Sequence, residues 1–493
     1  MDLEITTKLR VAVVALAAGM VGVSYVSADT RSAADSLGLS RGSGYSTVQI
    51  NFPEAIAGQK AGEAAHAASL TAGPRVTRDL TVLIYMNGKN NLGVHHGLDI
   101  FDMEQAGSNA RMNVVVEKGS LGRSMYGQKW TGARRFYIRK NPEQFPLGLV
   151  SEVLDTLPDA DMGDWHHVAE FVRWGKAAYP ARRYVLVISD HGSGLFDIPR
   201  AVPPEGGAKG ISYDDATGSS VSNLELAALL RETGGVDALV LDACLMQALE
   251  IAYEVRDYAP YVVASQEVSW TDTISYSRVL AALGKTPAAP AEALARAFIE
   301  ASRPLWASDR VHQKMSLVRT GELPALLPLL DAWTRLARAH GDAAALRAAR
   351  LEVMRFEDPW SSRMHAASSY ADLYDFTAQH DGRLNLSSPG AAQVKAAGEA
   401  LRAALAGRAV ALNATYGYNT SGRAMSDARG LSIYVPPPKV YRRAASGKGG
   451  KLVDAAPADQ AALEARFANP YSDYAFARDC AWREFTDFLW RLE

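Results

Sequence analysis

The chain has 493 residues, 48% of them apolar, enough to bury at least one large core and room for two units, which excludes a disordered or fibrous protein. Lys and Arg number 52 against 54 Asp and Glu, and the formal charge of -2 supplies no global field for nucleic acid or acidic lipid, so any charge selectivity must be local. Cys244 and Cys480 are the only cysteines, which excludes a disulfide framework and leaves either two thiols or a single bridge.

Lys8 and Arg10 stand before an apolar run, Val11 to Val26, that closes on the small residues Ser27 and Ala28 ahead of Asp29. That three-part pattern predicts a secretory signal over 1–28 and an exported protein, whether secreted, periplasmic or held at the cell surface. An uncleaved membrane anchor is the alternative, because the run approaches the shortest length that spans a bilayer. Residues 29–78, rich in Ala, Ser and Gly, read as a linker or pro-segment.

Order is expected from 79 onward. The run L-T-V-L-I-Y-M at 80–86 is short and continuously apolar, as in a strand buried on both faces, and a helix follows from Leu92. A second strand falls at 112–117, and Trp130 with 135–138, separated by Gly132, predicts a hairpin. Asp164 caps a helix over 165–178 that stops before Pro180, and Y-V-L-V-I-S at 184–189 is a third buried strand. A Pro/Gly-rich loop, Asp197 to Gly210, comes next. Ser222 and Glu225 have capping-box spacing for a helix ending at Gly234 and Gly235. Strands at 237–243 and 261–265 bracket a helix predicted over 245–258. Strands alternating with helices imply an α/β fold over 79–285, with a mainly parallel sheet covered on both faces and ligands at the carboxyl ends of its strands. From 286 to 493 the composition turns Ala-rich and mainly helical, with a return to strand at 431–435, and this region is expected to pack on the first.

Two strand ends carry chemistry. Strand 184–189 runs into D-H-G-S-G at 190–194, and strand 237–243 runs into Cys244. In a parallel sheet both side chains emerge at one edge, so His191 and Cys244, about fifty residues apart, can meet as base and nucleophile. A thiol is mostly protonated at neutral pH, and an imidazolium together with the start of a helix at Leu245 would favour the reactive thiolate. Gly192 leaves the backbone open to close approach, so its N–H and that of Cys244 are candidates for an oxyanion hole. The bland alternative for Cys244 is a buried small hydrophobe, which is the reading kept for Cys480. The adjacent pairs His95–His96 and His166–His167 point to different sides of a helix and make poor metal clamps. N-G-K-N-N-L-G at 87–93 lacks the pattern of a phosphate loop and reads as a βα turn. No G-x-G-x-x-G follows the first strand, which weighs against a nucleotide enzyme on the same sheet.

The blocks L-T-V-L-I-Y-M-N-G-K-N-N-L (80–92), S-D-H-G-S-G (189–194), I-S-Y-D-D (211–215) and L-D-A-C-L-M (241–246) resemble, in order and spacing, those of the clostripain family of cysteine peptidases. Similar blocks at 370–376, 430–434 and 474–478 extend the likeness to roughly 80–490. The resemblance implies a caspase-like α/β/α sandwich, a Cys244/His191 dyad needing no cofactor, and peptide or protein substrates cleaved after basic residues. Gln266 departs from the pattern, standing where a second acidic residue is expected. Calcium dependence occurs in the family, and Asp214 and Asp215 are the carboxylates nearest to a structural calcium site, although two fall far short of a calcium shell. A catalytically inactive, peptidase-like binding module at the cell surface is the reading from another class.

A basic first pocket calls for a carboxylate. Asp242 lies two residues before Cys244, where period-two alternation would place both side chains on one face, and Asp272 is the second candidate at the same edge. The loop from Asp197 to Gly210 carries Arg200 and Lys209, so self-cleavage after Lys209, with Arg200 the lesser candidate, would convert a zymogen into two associated chains.

Overall fold

Continuous apolar runs build the centre of the molecule. The protein, represented by a computed structural model, is described over residues 76–492 apart from 123–129, 142–148, 199–207, 272, 308–311, 357–368, 420–421, 437–440, 444–451 and 455–468. All of these belong to the compact unit 56–493. The expected signal, most of the expected linker, Arg200 and Asp272 lie outside the described residues.

The runs read as buried strands form β1 (Arg78–Met86), β2 (Met112–Leu121), β5 (Ala181–Ser189), β9 (Ala238–Asp242) and β10 (Tyr261–Ala264), with β3 (Thr131–Tyr137) and β4 (Glu152–Leu157) between β2 and β5. They join β11 (Gln313–Arg319) and β13 (Val410–Tyr416) in a nine-stranded sheet ordered β13-β11-β10-β9-β5-β1-β2-β3-β4. The five strands from β10 to β2 are mutually parallel, and an antiparallel pair closes each side. Alternate side chains feed two cores: Leu83, Leu186 and Leu239 face one layer of helices, Val82, Val187 and Val240 the other. That is the expected α/β/α sandwich, with both faces of the sheet covered.

On the second face lie α1 (Gly93–Met103), α5 (Tyr276–Lys285) and α6 (Ala291–Trp306). On the first lie α2 (Trp165–Ala178), α3 (Asn223–Glu232), α4 (Leu249–Glu254), α7 (Leu327–His340) and α8 (Ala343–Glu352), joined by α9 (Leu373–Asp381), α10 (Ala391–Ala404), α11 (Ala475–Asp479) and α12 (Trp482–Trp490). The caps read from sequence are present: Asp164 accepts the His166 N–H, and Ser222 and Glu225 satisfy each other's backbone N–H groups.

Several local readings change. The predicted hairpin around Gly132 is a single strand, β3, because Gly132 itself takes a positive φ of 88° inside it and lets the β4 end approach within the space a Cβ would need. The loop predicted over Asp197–Gly210 is shorter at both ends, because β6 (Gly192–Ile198) and β7 (Ala208–Tyr213) run into it and form a small sheet with β8 (Ser220–Val221). Beyond its expected helices, the region from 286 supplies β11 and β13 to the main sheet. The 431–435 run becomes β14 (Ser432–Tyr434), paired with β12 (Tyr370–Asp372). Among the described residues, no helix is long and apolar enough to cross a membrane.

Candidate active site

Parallel pairing of β5 with β9 sets the site. The register places Ser189 opposite Asp242, and the Asp190 N–H continues the ladder to the Asp242 carbonyl at 3.3 Å. His191 and Cys244 therefore each sit two residues beyond a matched pair on adjacent strands. A Cβ on Gly192 would stand 2.5 Å from the Cys244 carbonyl oxygen and 2.9 Å from the Ala243 Cβ. Only glycine lets the His191 loop lie this close to the Cys244 loop.

Cys244 is held from the other side by the segment leaving β10. The Ser269 N–H donates to Cys244 Sγ at 3.3 Å, the sulfur lies 3.6 Å from the Ser269 carbonyl, and the Leu245 N–H donates to the Glu267 carbonyl at 3.2 Å. Leu245 has φ 64°, a left-handed conformation that a non-glycine residue adopts only when its surroundings impose it. This turn corrects the sequence reading twice. The helix after Cys244 begins at Leu249 rather than Leu245, so the first helical N–H groups lie five residues along the chain from the thiol and a backbone N–H from Ser269 takes the place assigned to them. The strand also ends at Asp242, so alternation stops there: Cys244 joins the α4 side of the sheet, while the Asp242 carboxylate turns to the α1/α5 side.

His191 is positioned by residues that the sequence reading did not single out. Its Nε2 lies 2.7 Å from Asn91 Oδ1, and its ring centroid lies 6.4 Å from that of Tyr213. The preceding Asp190 is buried and accepts the Tyr213 N–H and Asn90 Nδ2, the latter at 2.6 Å; burial pushes its carboxyl well above the usual range. Asn90 also donates to the Tyr213 carbonyl at 2.9 Å, and Asn87 reaches the Ser212 hydroxyl at 3.2 Å. The 87–93 turn is thus a platform for the His191 loop and not a phosphate cradle. Asn91 had no local signal of its own, being one of two adjacent asparagines in a turn.

A model of the clostripain family matches residues 84–490, most of the chain. The chain belongs to the clostripain family. Clostripain from Hathewaya histolytica is 27% identical over 227 residues, 41% of this chain and 41% of clostripain, so the chain matches about two fifths of that relative's length. An inactive zymogen C11 protease from Parabacteroides distasonis superposes with TM-score 0.55 at 18% identity, over 83% of this chain and 99% of that one. A secreted C11 cysteine protease from Bacteroides thetaiotaomicron, in complex with an irreversible peptide inhibitor, gives TM-score 0.50 at 20% identity over 73% and 93%. At these identities the structures share the fold.

Within this clostripain-family framework the remaining candidates fall as follows. Asp242 Oδ2 accepts from the Ser189 hydroxyl at 3.0 Å and the Tyr276 hydroxyl at 2.8 Å, and burial raises its carboxyl to about 6. Gln266, where an acid was expected, donates to Asp372 Oδ2 at 3.0 Å and accepts the Gly430 N–H at 2.8 Å. A carboxylate could accept there but not donate, so the amide suits a joint between the Cys244-supporting segment and β12. Asp214 is fully buried: Lys89 Nζ stands 2.8 Å from it, and the N–H groups of Met162, Ala216 and Thr217 occupy its oxygens. This donor set does not fit calcium. Among the described residues, no group of three or more His, Cys, Asp or Glu is placed to hold a metal. Both cysteines are free. Cys480 Sγ lies 3.2 Å from Asp331, and burial raises its thiol, leaving it the inert one. Lys209 falls in β7, paired with Asp197 of β6.

Proposed function

We propose that the protein is an exported cysteine endopeptidase that hydrolyses peptide bonds after basic residues, with Cys244 as nucleophile and His191 as general base. The observation that carries this reading is the β5/β9 register, which brings the His191 and Cys244 loops out of neighbouring strand ends with Gly192 packed on the Cys244 carbonyl. In the proposed reaction the Cys244 thiolate attacks the scissile carbonyl carbon and the N–H groups of Gly192 and Cys244 hold the oxyanion. The imidazolium of His191 then gives its proton to the leaving amine. A water that loses a proton to His191 hydrolyses the thioester and restores both groups. With Nε2–H donating to Asn91, the nitrogen that exchanges protons with substrate is Nδ1. Asp242, partly exposed at the sheet edge, and Asp272 are the proposed base of the first pocket.

Release of latency by cleavage after Lys209, or after Arg200, extends this proposal, as does export through the 1–28 segment. The inactive binding module has less support, because both dyad positions are filled. The deciding experiment is hydrolysis of a mixed peptide library by the purified protein, with Cys244→Ala, His191→Ala and Cys480→Ala variants. The first two are expected to lose hydrolysis and the third to keep it; activity in Cys244→Ala would overturn the mechanism. N-terminal sequencing of active material tests processing: a fully active intact chain removes it.

A further inference from the structure

The side-chain partners of Asp242 say more than that a carboxylate is present. Its Oδ2 receives two hydroxyl protons, from Ser189 on β5 at 3.0 Å and from Tyr276 at the start of α5 at 2.8 Å. Among the described residues these are the only partners of its side chain. Ser189 and Tyr276 are themselves buried, and the Tyr276 ring is fixed in the apolar layer between the sheet and α5, α6 and α1. A carboxylate oxygen has two lone pairs, so Oδ2 is fully used from inside the protein. The residue is only partly buried, and among the described residues both of its side-chain hydrogen bonds fall on Oδ2 and none on Oδ1.

That asymmetry discriminates between the two basic side chains. A guanidinium binds carboxylates best as a two-pronged fork, with one N–H to each oxygen. An ammonium is a compact point charge that a single oxygen can satisfy, with its other protons left to backbone carbonyls or water. We infer that the first pocket of this peptidase selects Lys over Arg, because the Ser189 and Tyr276 hydroxyls withhold one oxygen of Asp242 from the substrate. This rests on the proposed role of Asp242 as the base of that pocket. Ser189 and Tyr276 are then specificity-determining residues that act through Asp242 and touch no reacting atom.

The test compares kcat/KM for three peptide amides identical except for Lys, Arg or Gln before the scissile bond, using the wild-type protein and the Asp242→Asn, Tyr276→Phe and Ser189→Ala variants, with circular dichroism to confirm folding. The wild type is expected to favour Lys over Arg by about ten-fold, the scale of one well-placed polar contact. Tyr276→Phe frees a lone pair of Oδ2 and is expected to move the Arg/Lys ratio toward Arg by about five- to ten-fold, whatever happens to the absolute rates; Ser189→Ala repeats the test from the other strand. Equal or better cleavage after Arg in the wild type, or a ratio that neither hydroxyl variant moves, overturns the inference. Asp242→Asn separates this failure from that of the underlying reading. If the variant keeps its preference for basic residues over Gln, Asp242 is not the pocket base; if the preference is lost but Lys was never favoured over Arg, only the selectivity inference falls.

Discussion

Asn91 is a neutral side chain set against an imidazole, and its neutrality matters. Its Oδ1, 2.7 Å from His191 Nε2, holds the ring in one tautomer and one orientation without adding charge. Asn91→Ala removes the constraint and is expected to lower kcat by about ten- to a hundred-fold with little change in KM, since the residue acts through His191 rather than on substrate. Asn91→Asp makes a different change: an ionised carboxylate beside Nε2 favours the imidazolium, so the acid limb of the pH–rate profile is expected to move to higher pH. A profile that stays in place in the Asp variant would remove Asn91 from His191. None of this was legible at residue scale. His191 and Cys244 could be read because each ends a buried strand, and strand ends are visible in an apolar pattern. Asn91 becomes meaningful only when a segment 100 residues later folds over it. Asp242 was legible in residue and in strand face, but not in its relation to Cys244: β9 ends at Asp242, and the turn that follows carries Cys244 to the other side of the sheet from the Asp242 carboxylate.

At the scale of elements, α4 shows how the Cys244 turn is tied to the rest of the fold. Glu250, in its first turn, is fully buried and accepts the Tyr434 N–H of β14 and the Tyr471 hydroxyl at 2.9 Å each. Burial raises its carboxyl to about 7, against about 4.3 for an unfolded glutamate. The folded state therefore holds this proton more tightly than the unfolded state, and the stability it brings is complete at low pH and lost as pH rises from about 4 through 7. Glu250→Gln keeps an acceptor for both donors and has no charge to bury. Between pH 5 and 8 the stability difference between variant and wild type is expected to shift by roughly 2–3 kcal/mol in favour of the variant, a shift that any constant offset from the amide protons leaves unchanged. Urea unfolding at the two pH values checks it, and parallel curves would show that Glu250 does not titrate in this range. The elements that sequence reading recovered are those with long or continuous apolar runs and clear caps, such as β1, β5, β9 and α2. The missed ones lacked that signal. β4 is an edge strand with Asp155 and Thr156 exposed, β6 and β7 carry glycines and lack a continuous apolar run, β8 is only two residues long, and β11 and β13 lie within Ala-rich helical composition.

For the whole molecule, the sheet order decides what a break in the chain can do. A break within 199–207 leaves β1 to β6, with His191, on one piece and β7 onward, with Cys244, on the other, while a break after Lys209 falls inside β7 and leaves only Ala208 and Lys209 of it with the His191 piece. Those pieces meet along the β5/β9 seam, paired from Val185–Ala238 to Ser189–Asp242, and again where β6 pairs with β7. Neither piece holds both residues of the proposed dyad. Each would also present a bare central strand whose backbone N–H and C=O groups need a neighbour. Processing at this loop therefore cannot shed a fragment without destroying the enzyme, and a nicked molecule is expected to run as two bands in denaturing gels but as one species in size-exclusion chromatography. The same seam makes the chain a natural candidate for reconstitution. Two polypeptides broken within 199–207 and produced together should regain peptide hydrolysis that neither shows alone, so hydrolysis becomes a reporter of whether two halves of a sheet have found each other.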